Sequence, residues 1–453
     1  MEFLQNALAY IVDLGSYIFV PILMMLLGLI FGLKLLDAIK SGATVGIGLI
    51  GVSIVGGLVA DSLSPVIDAF VKRFNLNLSA IDIGGGPAAA TGFGFSLSAI
   101  IILVIVIVNI LLVAGKFTNT VNVDIYNFWY YCITAGFVYG LTKSAIFSII
   151  AAVSHAVLGY VFADLNAKKT EEVIGIEGVS IPHGFAAASA PLFMLLDKIY
   201  DKIPFFDFKD EDEFEEEKDN KLFSLISTVF GDPLFLGLLM GLIFGISAQY
   251  NVKGILDVSI KTAAILKLYP TMVNLIVQGL MPISGQAQSF FAKNFKGRTL
   301  SIGLDSAVTI GHTLTQSVGV VMIPIFMILA AILPGNRTLP LGEVPFAAFY
   351  VCFATIVHRA NKRRTFVSGI LFIPLVLWIS TWAAPLFNQM SINQGLDLVS
   401  QNQQATTMAL GNLFIFIPTK LASMKVIGIA LLLGIDAVAL YINKQYLKKN
   451  NFV

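Results

Sequence analysis

FWYYCITAGFVYGLTKSAIFSIIAAVSHAVLGYVF, residues 128–162, contains one Lys, Arg, Asp or Glu, and that residue, Lys143, sits near its middle. A bilayer crossing needs roughly 20 mainly apolar residues. The stretch therefore reads as a hairpin of two helices, about 128–141 and 144–162, turning at Lys143. Its apolar residues form unbroken runs and do not alternate with polar ones, which excludes the strand pattern of an outer-membrane barrel. The chain as a whole has the same character: 453 residues, 57% hydrophobic against 13% charged, with a mean hydropathy of +0.83. So little polar surface cannot cover a soluble globule of this size, which excludes a soluble enzyme. The expected fold class is an all-α polytopic membrane protein.

Working outward from this hairpin, further crossings are expected upstream at about 14–36, 43–60 and 88–114. Downstream they are expected at 222–247, 255–281, 318–333, 344–357, 365–385 and 421–441, for about eleven in all at the usual length. Lys34 and Lys40 follow the first run while only Glu2 and Asp13 precede it, so the positive-inside rule puts the N-terminus outside. The HRANKRR cluster, 358–364, and the basic NKQYLKKN tail fit the cytoplasmic side, and the Asn- and Gln-rich 388–419 fits the outside. Met1–Asn6 lacks the basic start of a cleavable leader. Net charge is +1 with scattered basic residues, which gives no reason to expect a nucleic-acid partner. Cys132 and Cys352 lie in apolar runs without a CxxC spacing and read as packing residues.

The run from Glu171 to Asp201 is only moderately apolar and dotted with Gly, Pro and small residues. This suits a re-entrant or broken segment. The acidic DFKDEDEFEEEKD, 207–219, is too polar to bury. The expected organisation is therefore an N-terminal membrane half (1–201), an acidic cytoplasmic loop (202–221) and a C-terminal membrane half (222–453).

Ionisable side chains at membrane depth cost about 2.5–3.5 kcal/mol by insertion scales and mark functional positions. Three clusters qualify. In KFTNTVNVDIYNFWYY, 116–131, Asn122 and Asp124 offer amide and carboxylate groups suited to hydroxyls. In IEGVSIPHG, 176–184, Glu177 and His183 lie in the segment already read as broken, and their spacing does not match HExxH. In RTLSIGLDSAVTIGHT, 298–313, Asp305 and His312 share one face if the stretch is helical; Gln286 lies upstream. Thr91, in TGFGFSLS, is a further candidate beside helix-packing glycines. TVNVDIYN and TLSIGLDS echo each other, one in each half, as inverted-repeat transporters do near their sites. No P-loop, voltage-sensor helix or TVGYG-like filter is present, and no metal or cofactor is expected.

Taken together, in this order and spacing, KFTNTVNVDIYNFWYY, GIEGVSIPHG and IGLDSAVTIGHT resemble the galactitol-type IIC permease subunits of the bacterial phosphotransferase system, which are distantly similar to the ascorbate IIC permeases. The resemblance covers nearly the whole chain. It implies a homodimeric, multi-pass permease of the bacterial cytoplasmic membrane, built from inverted repeats. Such a permease takes galactitol or a related polyol from outside and presents it for phosphorylation by a separate IIB subunit, itself charged by IIA. It carries a substrate-binding role onto Asn122, Asp124, Glu177, His183, Asp305 and His312, with Thr91 and Gln286 as weaker additions. The sequence departs from the family's Trp at Tyr126 while keeping Trp129, which leaves another hexitol, a pentitol or a related sugar open as substrate. An ion-coupled secondary transporter of a small polar solute is the main alternative. An elevator-like movement of a core holding the three clusters is the expected mechanism.

Overall fold

A computed structural model describes residues 16–450 apart from 123–126, 207–232, 295–299, 311, 344–346, 397, 400–401 and most of 59–77. The leader reading at 1–6, the acidic run at 207–219, and Asp124 and Tyr126 lie outside the described residues.

Two apolar helices open the described chain, α1 (Ser16–Ile30) and α2 (Leu35–Leu58), joined by a turn in which Gly32 has φ +97°. Then come β1 (Ala80–Asp82), α3 (Gly85–Phe93), α4 (Ser98–Ala114), β2 (Thr120–Asn122), α5 (Phe128–Thr142), α6 (Ala145–Ile174), β3 (Val179–Ser180) and α7 (Ala186–Tyr200). A second series follows with the same order. It runs α8 (Pro233–Ser247), α9 (Val252–Asn294), β4 (Ser301–Gly303), α10 (Ala307–Ile310), α11 (Thr313–Ile332), β5 (Thr338–Leu339), α12 (Ala348–Val357), α13 (Lys362–Ile392), β6 (Gln404–Thr406) and α14 (Leu413–Ser423). A last helix, α15 (Lys425–Lys449), closes it.

The six short strands form two parallel sheets ordered β5–β1–β6 and β2–β4–β3. Each series thus sends its first strand into the centre of the sheet whose edges come from the other. By position in the series β1 corresponds to β4, β2 to β5 and β3 to β6, so the two sheets have one plan. The apparent echo between TVNVDIYN and TLSIGLDS therefore joins neighbours, not equivalents: β2 and β4 lie side by side, Thr120 opposite Ser301. Their likeness is that each holds one short strand of the same sheet.

Local chemistry explains the hairpin that opened the reading. Lys143 adopts the left-handed conformation that ends α5, and the hydroxyl oxygen of Ser144 accepts from the Phe147 N–H at 3.3 Å to start α6. The serine follows the ordinary N-cap preference, whereas the left-handed end of a helix is more often glycine than lysine. Trp129, Tyr131 and Tyr160 from these helices are among the largest fully buried side chains. On α15, by contrast, Val426, Ile427, Val438 and Tyr441 are exposed, as a lipid-facing surface requires. Among the described residues four helices are long and apolar enough to cross a membrane: Ala145–Ile174, Leu314–Ile332, Lys362–Ile392 and Lys425–Lys449. Shorter apolar helices accompany them. The protein is a helical, multi-pass membrane protein.

Several expected boundaries shift. The single run at 88–114 is two helices, α3 and α4, broken where Ser98 Oγ donates to the Phe93 carbonyl at 2.6 Å. The expected crossing 255–281 is part of the 43-residue α9, about 65 Å long at 1.5 Å per residue. The stretch 388–419 is not a simple outer loop. It holds the end of α13, β6 and most of α14, because its polar residues find partners within the protein: Asn388 Oδ1 accepts from the Ala405 N–H at 3.0 Å, and Asn412 both caps α14 and donates to the Gly184 carbonyl at 2.7 Å.

Candidate functional site

The sheet β2–β4–β3 brings the three polar clusters together. Asn122 and Ser180 flank Gly303 on its two sides. A methyl group on Gly303 would lie 2.7 Å from Pro182 Cγ and 2.9 Å from the Val121 carbonyl oxygen, so glycine lets the three strand ends converge. The Asp164 carboxylate on α6 fixes the β2 side from beneath. It accepts from the Thr118 hydroxyl at 2.5 Å, the Thr120 hydroxyl at 2.7 Å, the Asn119 N–H at 3.2 Å and the Asn443 amide at 2.7 Å.

Beyond the strand ends lie His183 and Asp305. His183 Nδ1 accepts from the Phe185 and Ala186 N–H groups, each at 3.2 Å, at the start of α7. The tautomer assigned from those contacts puts the ring proton on Nε2, which lies 3.8 Å from Asp305 Oδ2. This exceeds a direct hydrogen bond and matches a gap that a ligand hydroxyl can bridge. Tyr130 meets the ring edge-on at 5.0 Å and stacks on Trp129 at 3.6 Å. Close by in the chain, several buried polar atoms have no hydrogen-bond partner among the described residues: Asn122 Oδ1, both side-chain polar atoms of Asn127, Trp129 Nε1 and Thr309 Oγ1. Such atoms are rare in folded proteins and demand a reason; a bound polar ligand supplies one.

The remaining candidates are placed as follows. Thr91 is buried on α3 with its hydroxyl unpartnered, one residue from Gly92, where a Cβ would lie 2.7 Å from the Trp129 carbonyl oxygen. Glu177 is exposed in the turn before β3. Gln286 on α9 lines a separate groove with Asp37, Lys40 and Gln278. His312 does not share a helix face with Asp305. The short α10 ends at Ile310, and His312 instead caps α11, accepting from the Leu314 N–H at 3.2 Å. Cys132 and Cys352 are both buried. No group of three or more His, Cys, Asp or Glu able to hold a metal occurs among the described residues.

Two clusters escaped the sequence reading. At the end of the other sheet, the Asp82 carboxylate accepts from the N–H groups of Gly84 at 3.0 Å and Glu343 at 2.9 Å. The Glu343 carboxylate in turn accepts from the Tyr350 and Thr407 hydroxyls. Tyr350 stands 5.2 Å from Phe185, and Phe349 lies 5.1 Å from His183, so one aromatic layer separates the two polar centres. An acid at each strand end, before glycines in AIDIGGG and after one in PLGEV, was the available signal. The second cluster joins α7 to the start of α13: Asp197 pairs with Lys169 at 3.2 Å and Arg364 at 3.0 Å. It also meets His358 Nδ1 at 2.8 Å.

A repeated, strand-broken helical fold with a buried polar centre defines a membrane transport protein. The chain belongs to the family of sugar-specific permease components of the phosphotransferase system, which it matches over residues 10–402. It is 43% identical, over 97% of its length and 99% of the relative's, to a protein of Escherichia coli (strain K12) provisionally described as a permease IIC component. It is 34% identical, over 95% of both chains, to the galactitol-specific EIIC components of Escherichia coli strains K12 and O157:H7. As a member of this family it is a transport subunit of the inner membrane, and phosphorylation is carried out by a separate IIB subunit.

Proposed function

We propose that this permease imports galactitol or a closely related polyol, binding it between the ends of β2, β3 and β4. The carrying observation is the set of buried unpartnered atoms on Asn122, Asn127 and Trp129 beside the 3.8 Å gap between His183 and Asp305. Amide and carboxylate groups chelate neighbouring hydroxyls, while the apolar faces of Trp129 and Tyr130 suit the carbon backbone of a polyol. His183 or Asp305 would accept the proton of the hydroxyl that takes the phosphoryl group. The 34% identity to galactitol-specific components supports the substrate class. Asp124 joins this set as a proposal from the sequence.

The repeat with exchanged central strands supports two related halves, about 1–201 and 222–453, and with the broken segments it supports an inverted arrangement and an elevator-like movement of the core. Lys34 and Lys40 after the first apolar run support an N-terminus outside, and the family resemblance supports a homodimer. The buried Asp82–Glu343 pair favours a second reading, proton-coupled transport without IIB. One experiment separates the two: uptake of labelled galactitol into vesicles with and without phosphorylated IIB. The proposal expects phosphorylated internal label only with IIB, reduced at least tenfold by Asp305→Asn. Free label that accumulates without IIB and collapses with the proton gradient would establish the second reading instead.

A further inference from the structure

At the far end of α13 from the Asp197–His358–Arg364 cluster lies a cavity of about 470 Å³ between the end of α5, the α3–α4 break and the last turn of α13. The 31 residues of α13 separate the two ends by about 46 Å, more than the hydrocarbon thickness of a bilayer. With the basic end on the cytoplasmic side, the cavity opens to the outside. Its polar wall is made of Ser96, Tyr139, Lys143, Gln389, Asn393 and Gln394.

The hydrogen-bonding capacity of this wall is left partly unused. Gln394 Nε2 donates to the Thr91 carbonyl at 3.0 Å, yet Gln394 Oε1 is buried without a partner. Gln389 Nε2 donates to Asn393 Oδ1 at 2.9 Å, a bond that uses neither the Asn393 amide hydrogens nor Gln389 Oε1. Lys143 has no acidic partner among the described residues; its Nζ lies 6.0 Å from the Tyr139 ring. Phe95 and Tyr139, 5.8 Å apart, supply an apolar face. Neutral amides and hydroxyls dominating a single cation, beside aromatic carbon, match an uncharged polyhydroxylated molecule. The wall also continues inward: Gln394 holds Thr91, Gly92 beside it packs on Trp129, and Trp129 stacks on Tyr130 against His183.

The geometry points to an outer binding site for an uncharged polyol in this cavity, occupied before the substrate reaches the core site. The inference rests on the polyol reading above. It is tested by Asn393→Cys in the full chain, with Gln389→Cys as a second reporter. Both positions are exposed, and Cys132 and Cys352 are buried, so the new thiol is the reactive one. Intact cells are treated with a membrane-impermeant maleimide, with and without millimolar galactitol, sorbitol or xylitol. The expected result is labelling from outside that slows at least threefold with one of these polyols. The same protection should persist when Asp305→Asn disables the core site. Labelling only in inside-out vesicles, no protection by any polyol, protection by phosphate instead, or protection that vanishes with Asp305→Asn would each overturn it. Failure of the phosphotransfer reading shows separately, as a lack of IIB-dependent phosphorylated product while the protection stands.

Discussion

Asp164 is the residue whose loss is expected to release the binding strand most directly. Replacing it with alanine removes an acceptor shared by four donors on three segments: the loop before β2, β2 itself and α15. Two of these groups keep other contacts, since Thr120 Oγ1 lies 2.9 Å from Ser180 Oγ and the Asn443 amide also donates to the Phe117 carbonyl at 2.9 Å. The Thr118 hydroxyl hydrogen and one Asn443 amide hydrogen lose their acceptor, and the Asn119 N–H loses a charged one. At about 1–3 kcal/mol for each stranded buried group, the expected cost of Asp164→Ala is about 3–5 kcal/mol. Asp164→Asn keeps one acceptor oxygen and should cost about half as much. Thermal unfolding of the detergent-solubilised protein should show an apparent melting temperature lowered by roughly 5 °C or more for the alanine variant. Uptake should fall with it, because β2 carries Asn122. A melting temperature within about 1 °C of the parent, with uptake intact, would refute the reasoning that Asp164 holds β2 in place.

Gly303→Ala should separate β2 from β3 by steric contact with Pro182 and the Val121 carbonyl; overpacking of this kind costs about 1–3 kcal/mol, and polyol affinity measured by calorimetry should fall more than Tm. Burial pushes the His358 ring below its ordinary 6.5, although Asp197 pulls it back. The folded state therefore binds this proton less readily than the unfolded chain does. Stability should be complete above the ordinary value and decline as pH falls through it, and melting curves of His358→Gln between pH 8 and 5 should be flatter. Trp129→Phe deletes an unpartnered Nε1 while keeping the stack on Tyr130; it should lower polyol affinity severalfold with little change in Tm, and unchanged affinity would remove Trp129 from the binding set.

Much of the candidate site was legible because polar residues in an apolar chain stand out by their cost. Asn122, His183 and Asp305 stood out on that ground together with the family resemblance, and the structure sets β2, which carries Asn122, beside β4 and β3, which lead to Asp305 and His183. Glu177 and Gln286 satisfied the same criterion, but only tertiary placement shows one on the surface and the other on α9, away from the strand ends. His312 misled because a seven-residue spacing assumes an unbroken helix, whereas backbone hydrogen bonding restarts at Thr313. Asp82 and Glu343 stayed hidden because the contact between them is not local: the two lie 261 residues apart in the chain and come together only when β1 is inserted between β5 and β6.

The sequence by itself determined the membrane solvent, the helical class and the chemistry of the buried polar groups, since each follows from composition and short-range periodicity that a bilayer enforces. The exchange of central strands between the two series, and with it which polar groups face one another, was decided only by tertiary structure. Strands of two or three residues carry too little pattern to announce their partners, and parallel pairing joins segments whose only common property is the space between helices that they fill.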